Sequence, residues 1–143
     1  MKKFFLSLLI FIWIISGFFN VFFNSFKSIS EIREWVPLSD YEKREKIFGE
    51  LYPFLNFVEK NTLPESNILI FSSDIKTHYL AIYYLYPRIT YDTYSEKELN
   101  DLTKKRKYTY IALFKEEKHI SGYEKITTLT KDKKYVGTLY KKR

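Results

Sequence analysis

The chain has 143 residues, of which 45% are hydrophobic, 20% aromatic and 29% charged, and its formal net charge is +7. That length leaves room for one compact domain and a short additional element. There is no cysteine, which excludes a disulfide scaffold, Cys-ligated zinc or iron–sulfur centres and thiol catalysis.

Charge is distributed very unevenly. Residues 4–26 carry none, whereas all 17 acids, and every base except Lys2 and Lys3, fall in residues 27–143. Those 23 uncharged positions would reach roughly 34 Å as a helix, enough to cross a hydrocarbon core of about 30 Å. They predict a transmembrane anchor over 4–26, preceded by a cytoplasmic stub over 1–3. A cleaved export signal also begins with lysines and an apolar run. Here, however, Ser16-Gly17 is followed by Phe18-Phe19 and the apolar run simply continues. An uncleaved signal anchor in the cell membrane is the expectation. Lys2, Lys3 and the terminal amine face Lys27 and Arg33 across the span, so the positive-inside rule favours a cytoplasmic N-terminus and an extracytoplasmic domain.

Residues 27–38, with Trp35 and Pro37, read as a juxtamembrane linker, and residues 39–143 as a small α/β domain. From Ser39-Asp40 the apolar positions Ile47, Phe48, Leu51, Phe54, Leu55 and Val58 recur at helical spacing. Pro53 interrupts that pattern and predicts a break near Gly49, followed by a second short helix. After a turn over 61–66, Asn67-Ile68-Leu69-Ile70-Phe71 has the continuous apolar character of a strand buried on both faces. Ser72, Ser73 and Asp74 then offer caps to a helix over 75–86 that stops at Pro87. Its Tyr79, Tyr83, Tyr84 and Tyr86 are expected to pack on the sheet with their hydroxyls at the rim, in preference to forming a sugar-stacking platform.

Arg88-Ile89-Thr90-Tyr91 is the expected second strand. Ser95 and Glu98 have the spacing of a capping box for a further helix, which Lys104 to Lys107 would close. Residues 108–114 form the expected third strand. Strands over 126–129 and 135–140, joined through Lys131-Asp132-Lys133-Lys134, complete a hairpin. The fold class implied is α/β, in two or three layers: a mostly parallel sheet of three strands with an antiparallel C-terminal hairpin at its edge.

In such sheets ligands sit outside the carboxyl ends of the strands, which singles out Ser72, Ser73, Asp74, Asp92, Thr93 and Lys115. Helix and turn capping is the simpler role for Asp74 and Asp92. The four glycines, at 17, 49, 122 and 137, make no phosphate-binding loop. His78 lies four residues after Asp74, a spacing that could orient an imidazole but is common by chance, and His119 reads as loop. Neither histidine stands at metal-ligand spacing from carboxylates. No catalytic residue, metal or cofactor is expected. The lysine clusters at 104–107, 131–134 and 141–143 suit a solvated surface, or anionic lipid or glycan, better than nucleic acid if the domain is outside.

The stretch Asn67 to Asp74, with Tyr79, Tyr84-Leu85-Tyr86-Pro87-Arg88 and Ile89-Thr90-Tyr91, resembles a segment of small extracytoplasmic domains of uncharacterised single-pass bacterial membrane proteins. It is also similar to the soluble ends of some polytopic, lipid-linked-sugar-dependent glycosyltransferase-like proteins. The resemblance implies an accessory or stand-alone version of that soluble module. In it Arg88, Tyr84 and the strand-end carboxylates would contact a phosphate or sugar. The first expectation is a non-catalytic binding or scaffolding domain; the second is an accessory role in envelope glycan or lipid-linked sugar metabolism.

Overall fold

The computed structural model describes residues 2–105 and 107–143, but not the side chains of residues 2–6 and 8. Met1 of the expected stub and Arg106 of the expected helix-closing run lie outside the described residues. The chain divides into two compact units, Met1–Lys43 and Arg44–Arg143.

The first unit is dominated by α1 (Lys2–Trp35), whose 34 residues extend for about 51 Å. It is long and apolar enough to cross a membrane, and its described apolar side chains from Leu9 to Ile32 are all exposed. The segment read as a linker is helical as far as Trp35. No glycine or proline interrupts it before Pro37, which restricts Val36 and ends the helix. A short non-helical step then leads to α2 (Asp40–Phe48). Its start is a reciprocal capping box: the Glu42 N–H donates to Ser39 Oγ (3.3 Å) and the Ser39 N–H donates to Glu42 Oε2 (2.8 Å).

The predicted break falls at Gly49, whose φ of +62° suits a residue without a Cβ. α3 (Leu51–Lys60) follows, with Pro53 in its first turn, where its missing N–H has no helical partner to lose. Then come β1 (Asn67–Phe71), α4 (Lys76–Tyr84), β2 (Ile89–Thr93), α5 (Glu96–Lys104), β3 (Tyr110–Phe114), β4 (Tyr123–Lys131) and β5 (Lys134–Lys142).

The strands form one five-stranded mixed sheet in the order β2-β1-β3-β5-β4. β1 pairs in parallel with β2 (Leu69 opposite Tyr91) and with β3 (Leu69 opposite Ile111). β5 runs antiparallel to β3, and β4 antiparallel to β5. Three parallel strands and a hairpin are therefore present. "Mostly parallel" is corrected, because the hairpin strands have nine residues each rather than the four and six expected. Their length comes from a tight two-residue turn at Asp132 and Lys133, both at positive φ (+50° and +62°), which matches the twist of flanking strands and lets pairing run to Lys131 and Lys134.

The sheet is covered on both faces, giving three layers. Phe54, Leu55 and Val58 of α3, with Ala81 of α4 and Leu85, pack against Ile68, Ile70, Ala112 and Leu139 on one face. Leu99 and Leu102 of α5, with Ile120, pack against Leu69, Phe71, Ile111 and Leu113 on the other. Gly137 lets Phe54 reach the sheet: a Cβ there would lie 2.6 Å from both the Phe54 ring and the Leu113 carbonyl oxygen. The Ser95 capping box does not form. Ser95 makes no side-chain cap, and Glu98 instead accepts a hydrogen bond from Thr93 Oγ1 at 2.6 Å.

Candidate functional site

β1 lies between β2 and β3: the first crossover runs from β1 out to β2 and the second returns from β2 past β1 to β3, and the carboxyl ends of these strands form the crevice where open α/β sheets bind ligands. Of the expected ligand contacts, Ser72, Ser73, Asp74 and Asp92 are there, whereas Tyr84 and Arg88 are not. Ser72 is buried, shares a 2.8 Å hydrogen bond with Thr77 Oγ1 and accepts the Asp74 N–H at 3.0 Å. Asp74 Oδ1 accepts the Lys76 N–H at 2.9 Å. Both side chains thus fix the entry into α4, the capping role that helix-favouring chemistry assigns to Ser and Asp. Ser73 is exposed beside them.

Asp92 makes a tertiary polar cluster at this end. Its Oδ1 pairs with His78 Nδ1 across α4 and β2, and the Tyr94 hydroxyl hydrogen-bonds to the same carboxylate, which holds the Tyr94 pKa above its usual value. The Asp92 side chain is 17% exposed and that of His78 37%. The His78 ring meets Tyr79 edge-on at 5.1 Å. His78 therefore turns to Asp92 and not to Asp74, its neighbour in sequence. Strand alternation carries the signal for this: Thr90 and Asp92 point to the α4 face of β2, while Tyr91 and Thr93 point to the α5 face, where Tyr91 meets Tyr108. Tyr94, absent from the predicted set, completes the cluster.

An open cleft of about 390 Å³ adjoins α4, with Ile47, Phe48 and Leu51 on one side, Lys76, Tyr79 and Leu80 on the other, and Asp74 also lining it. Lys115, at the end of β3, is held by Glu50 at 2.7 Å. Among the described residues no group of three or more His, Asp or Glu could hold a metal ion.

Arg88 and Tyr84 lie elsewhere. Arg88 precedes β2, at the amino end of the strand, and spends its guanidinium on the end of α3: Nε donates to Thr62 Oγ1 (2.8 Å), and Nη2 to the carbonyls of Glu59 (2.7 Å) and Thr62 (2.9 Å). This arrangement satisfies the carbonyls that a helix C-terminus leaves without partners. Arg88 pairs with neither Asp74 nor Asp92. Tyr84 is half-buried, its ring edge-on to Tyr52 (5.3 Å) and Phe48 (6.1 Å), with the Arg44 guanidinium 5.7 Å from the ring centroid. Tyr84 and Arg88 therefore do not converge with Ser72, Ser73, Asp74 and Asp92 on one site.

The expected packing of the tyrosine-rich helix is also corrected. α4 presents Thr77 and Ala81 to the core, with Leu85 just beyond its end, because small side chains and the Ser72–Thr77 bond seat it closely on the sheet. Tyr79, Tyr83 and Tyr86 consequently face solvent, Tyr83 at 75% and Tyr86 at 80% exposure. Ile75, Ile82, Ile89, Tyr91 and Tyr94 are exposed as well, so eight large apolar or aromatic side chains are exposed between residues 75 and 94. Such a concentration marks an interaction surface more than a solvated one.

No protein family, curated protein or solved structure matches this chain.

Proposed function

We propose that the chain is a single-pass membrane protein with a cytoplasmic N-terminus, whose extracytoplasmic α/β domain binds or scaffolds other macromolecules without catalysing a reaction. The exposed aromatic surface over residues 75–94 carries this reading. The polar groups at the strand ends support it from the other side, since Ser72 and Asp74 serve α4 and Arg88 serves α3. Residues 4–26 would hold the bilayer, and other membrane proteins or anionic lipid and glycan are the partners within reach of an anchored, mildly basic domain.

The topology is tested with a C-terminal tag on the full chain. Alkaline washing should leave the protein in the membrane pellet, and protease added to intact cells should remove the tag. A tag protected in intact cells and cleaved only after lysis would reverse the orientation.

The second reading, an accessory role in envelope glycan or lipid-linked sugar metabolism, draws on the same exposed rings, since tyrosine faces stack on sugars. It loses Arg88 as a contact and would rest on Tyr79, Tyr83 and Tyr86. Quenching of tyrosine fluorescence by soluble glycan fragments, abolished in a Tyr83→Ala/Tyr86→Ala variant, would favour it over a protein partner.

A further inference from the structure

The two edges of the sheet are built differently. β4 has register shifts between Lys125 and Thr127 and between Leu129 and Thr130, and it carries Glu124, Lys125 and Lys131. Irregularities and charges are the devices by which a sheet edge avoids pairing. β2 has neither device. It stays in register with β1 from Ile89 to Thr93, its one charge, Asp92, is engaged by His78, and Ile89 and Tyr91 are exposed.

The direction of its free backbone groups follows from the ladder. The Ile89 N–H donates to the Ser66 carbonyl (3.1 Å), and the Thr93 carbonyl accepts the Ser72 N–H (3.2 Å). Residues 89, 91 and 93 therefore turn their backbone groups to β1, and Thr90 and Asp92 turn theirs outward.

We propose that this outward edge pairs antiparallel with β2 of a second copy of the chain, about a two-fold axis at Tyr91. Thr90 of each copy then stands opposite Asp92 of the other, exchanging both backbone hydrogen bonds, and Tyr91 meets its own counterpart in the closer, non-hydrogen-bonded position. The strand is self-complementary in this register: Ile89 meets Thr93, and Asp92 never opposes another Asp92. A second copy also accounts for the helix beside the strand. α4 packs against β2, and a two-fold axis normal to the sheet puts both α4 helices on one face of the joined sheet. The same partner then shields the edge and Ile82, which lies one turn on from His78 on the flank of α4 that reaches β2. This assignment names the partner of the binding surface proposed above and rests on that reading; confinement of both copies to one membrane would raise their effective concentration.

The natural chain has no cysteine, so a single introduced one reports its own surroundings. In Tyr91→Cys the two Cα atoms would be about 4.5 Å apart, within disulfide reach. Oxidising membranes that contain the full chain should yield about tenfold more covalent dimer from Tyr91→Cys than from Lys125→Cys on the bulged, charged edge. Adding Thr90→Pro removes an outward N–H without touching the β1 ladder, and adding Ile89→Lys places a charge on the exposed edge. Each should abolish the Tyr91→Cys dimer while thermal unfolding of the domain is unchanged. Equal crosslinking at positions 91 and 125, or a Tyr91→Cys dimer that persists in both edge-blocked variants, would overturn the proposal. If Tyr91→Cys stays monomeric but another protein copurifies with the chain and is lost from a Tyr79→Ser/Tyr83→Ser variant, the dimer fails and the binding reading stands. If Tyr91→Cys stays monomeric and that variant changes no copurification, both fail.

Discussion

α4 and α5 perform the same task, each carrying the chain across the sheet from the end of one parallel strand to the start of another, yet their exteriors are opposite. α5 buries Leu99 and Thr103 and shows solvent Glu96, Lys97, Asn100, Asp101 and Lys104. α4 buries Thr77 and Ala81 and shows solvent Tyr79, Ile82 and Tyr83. A crossover helix needs one apolar stripe toward the sheet, and α5 demonstrates that a polar exterior is compatible with this fold. The outward stripe of α4 is therefore surplus to folding, and its composition answers to contact with something else.

The comparison requires that the inward residues of the two crossovers matter alike. Leu85 is fully buried on one face and Leu99 is 3% exposed on the other. Leu85→Ala and Leu99→Ala should each lower stability by about 2–5 kcal/mol in chemical denaturation, the lost transfer energy plus the cavity left behind. A loss confined to one of them would show that the two layers do not share one cooperative core, and the equivalence of the helices would fail.

The two crossovers are also secured at different ends. α5 is held at its start, where Glu98 accepts from Thr93 and Lys118 Nζ lies 2.7 Å from Glu96. The α4 crossover is held at its finish, where Arg88 ties the start of β2 to the end of α3. Arg88→Ala should therefore cost about 1.5–3 kcal/mol, because it removes hydrogen bonds from a charged donor and strands the carbonyls of Glu59 and Thr62. Arg88→Lys should recover only part of that, since an ammonium lacks the planar fork that reaches three acceptors. Unchanged thermal unfolding in Arg88→Ala, combined with lost ligand or partner binding, would return Arg88 to the binding role suggested by its place after Pro87.

Local chemistry explains why some of this was legible in the sequence. The break at Gly49, the strand at Asn67–Phe71 and the capping by Ser72 and Asp74 are set by neighbours within a few residues, and they stand where the sequence places them. The phase of α4 was not legible. With tyrosine or leucine at positions 79, 80, 83, 84, 85 and 86, apolar periodicity points to no single face, and the decision falls to Thr77 and Ala81, whose small size permits close approach to the sheet. The partners of Arg88 and His78 were not legible for a related reason: Glu59, Thr62 and Asp92 are brought near only by tertiary packing. The hairpin was underestimated because Asp132 and Lys133 adopt a turn that usually attracts Asn and Gly.

The smallest expected effect on stability is the most informative about the exterior of α4. Tyr79 and Tyr83 each meet a neighbouring ring edge-on, His78 at 5.1 Å and Tyr84 at 5.0 Å, but otherwise face water. Tyr79→Ser/Tyr83→Ser should therefore change stability by no more than about 1 kcal/mol, the scale of exposed aromatic pairs and surface substitutions. The matched change on the other crossover, Lys97→Ser/Asn100→Ser, should be near neutral too. The two variants should part only in association, measured by sedimentation of the detergent-solubilised full chain: the α4 variant should lose mass relative to the natural chain, and the α5 variant should not. Equal sedimentation of all three would mean that α4 carries its tyrosines without a partner that needs them, and the contrast between the helices would be one of composition alone.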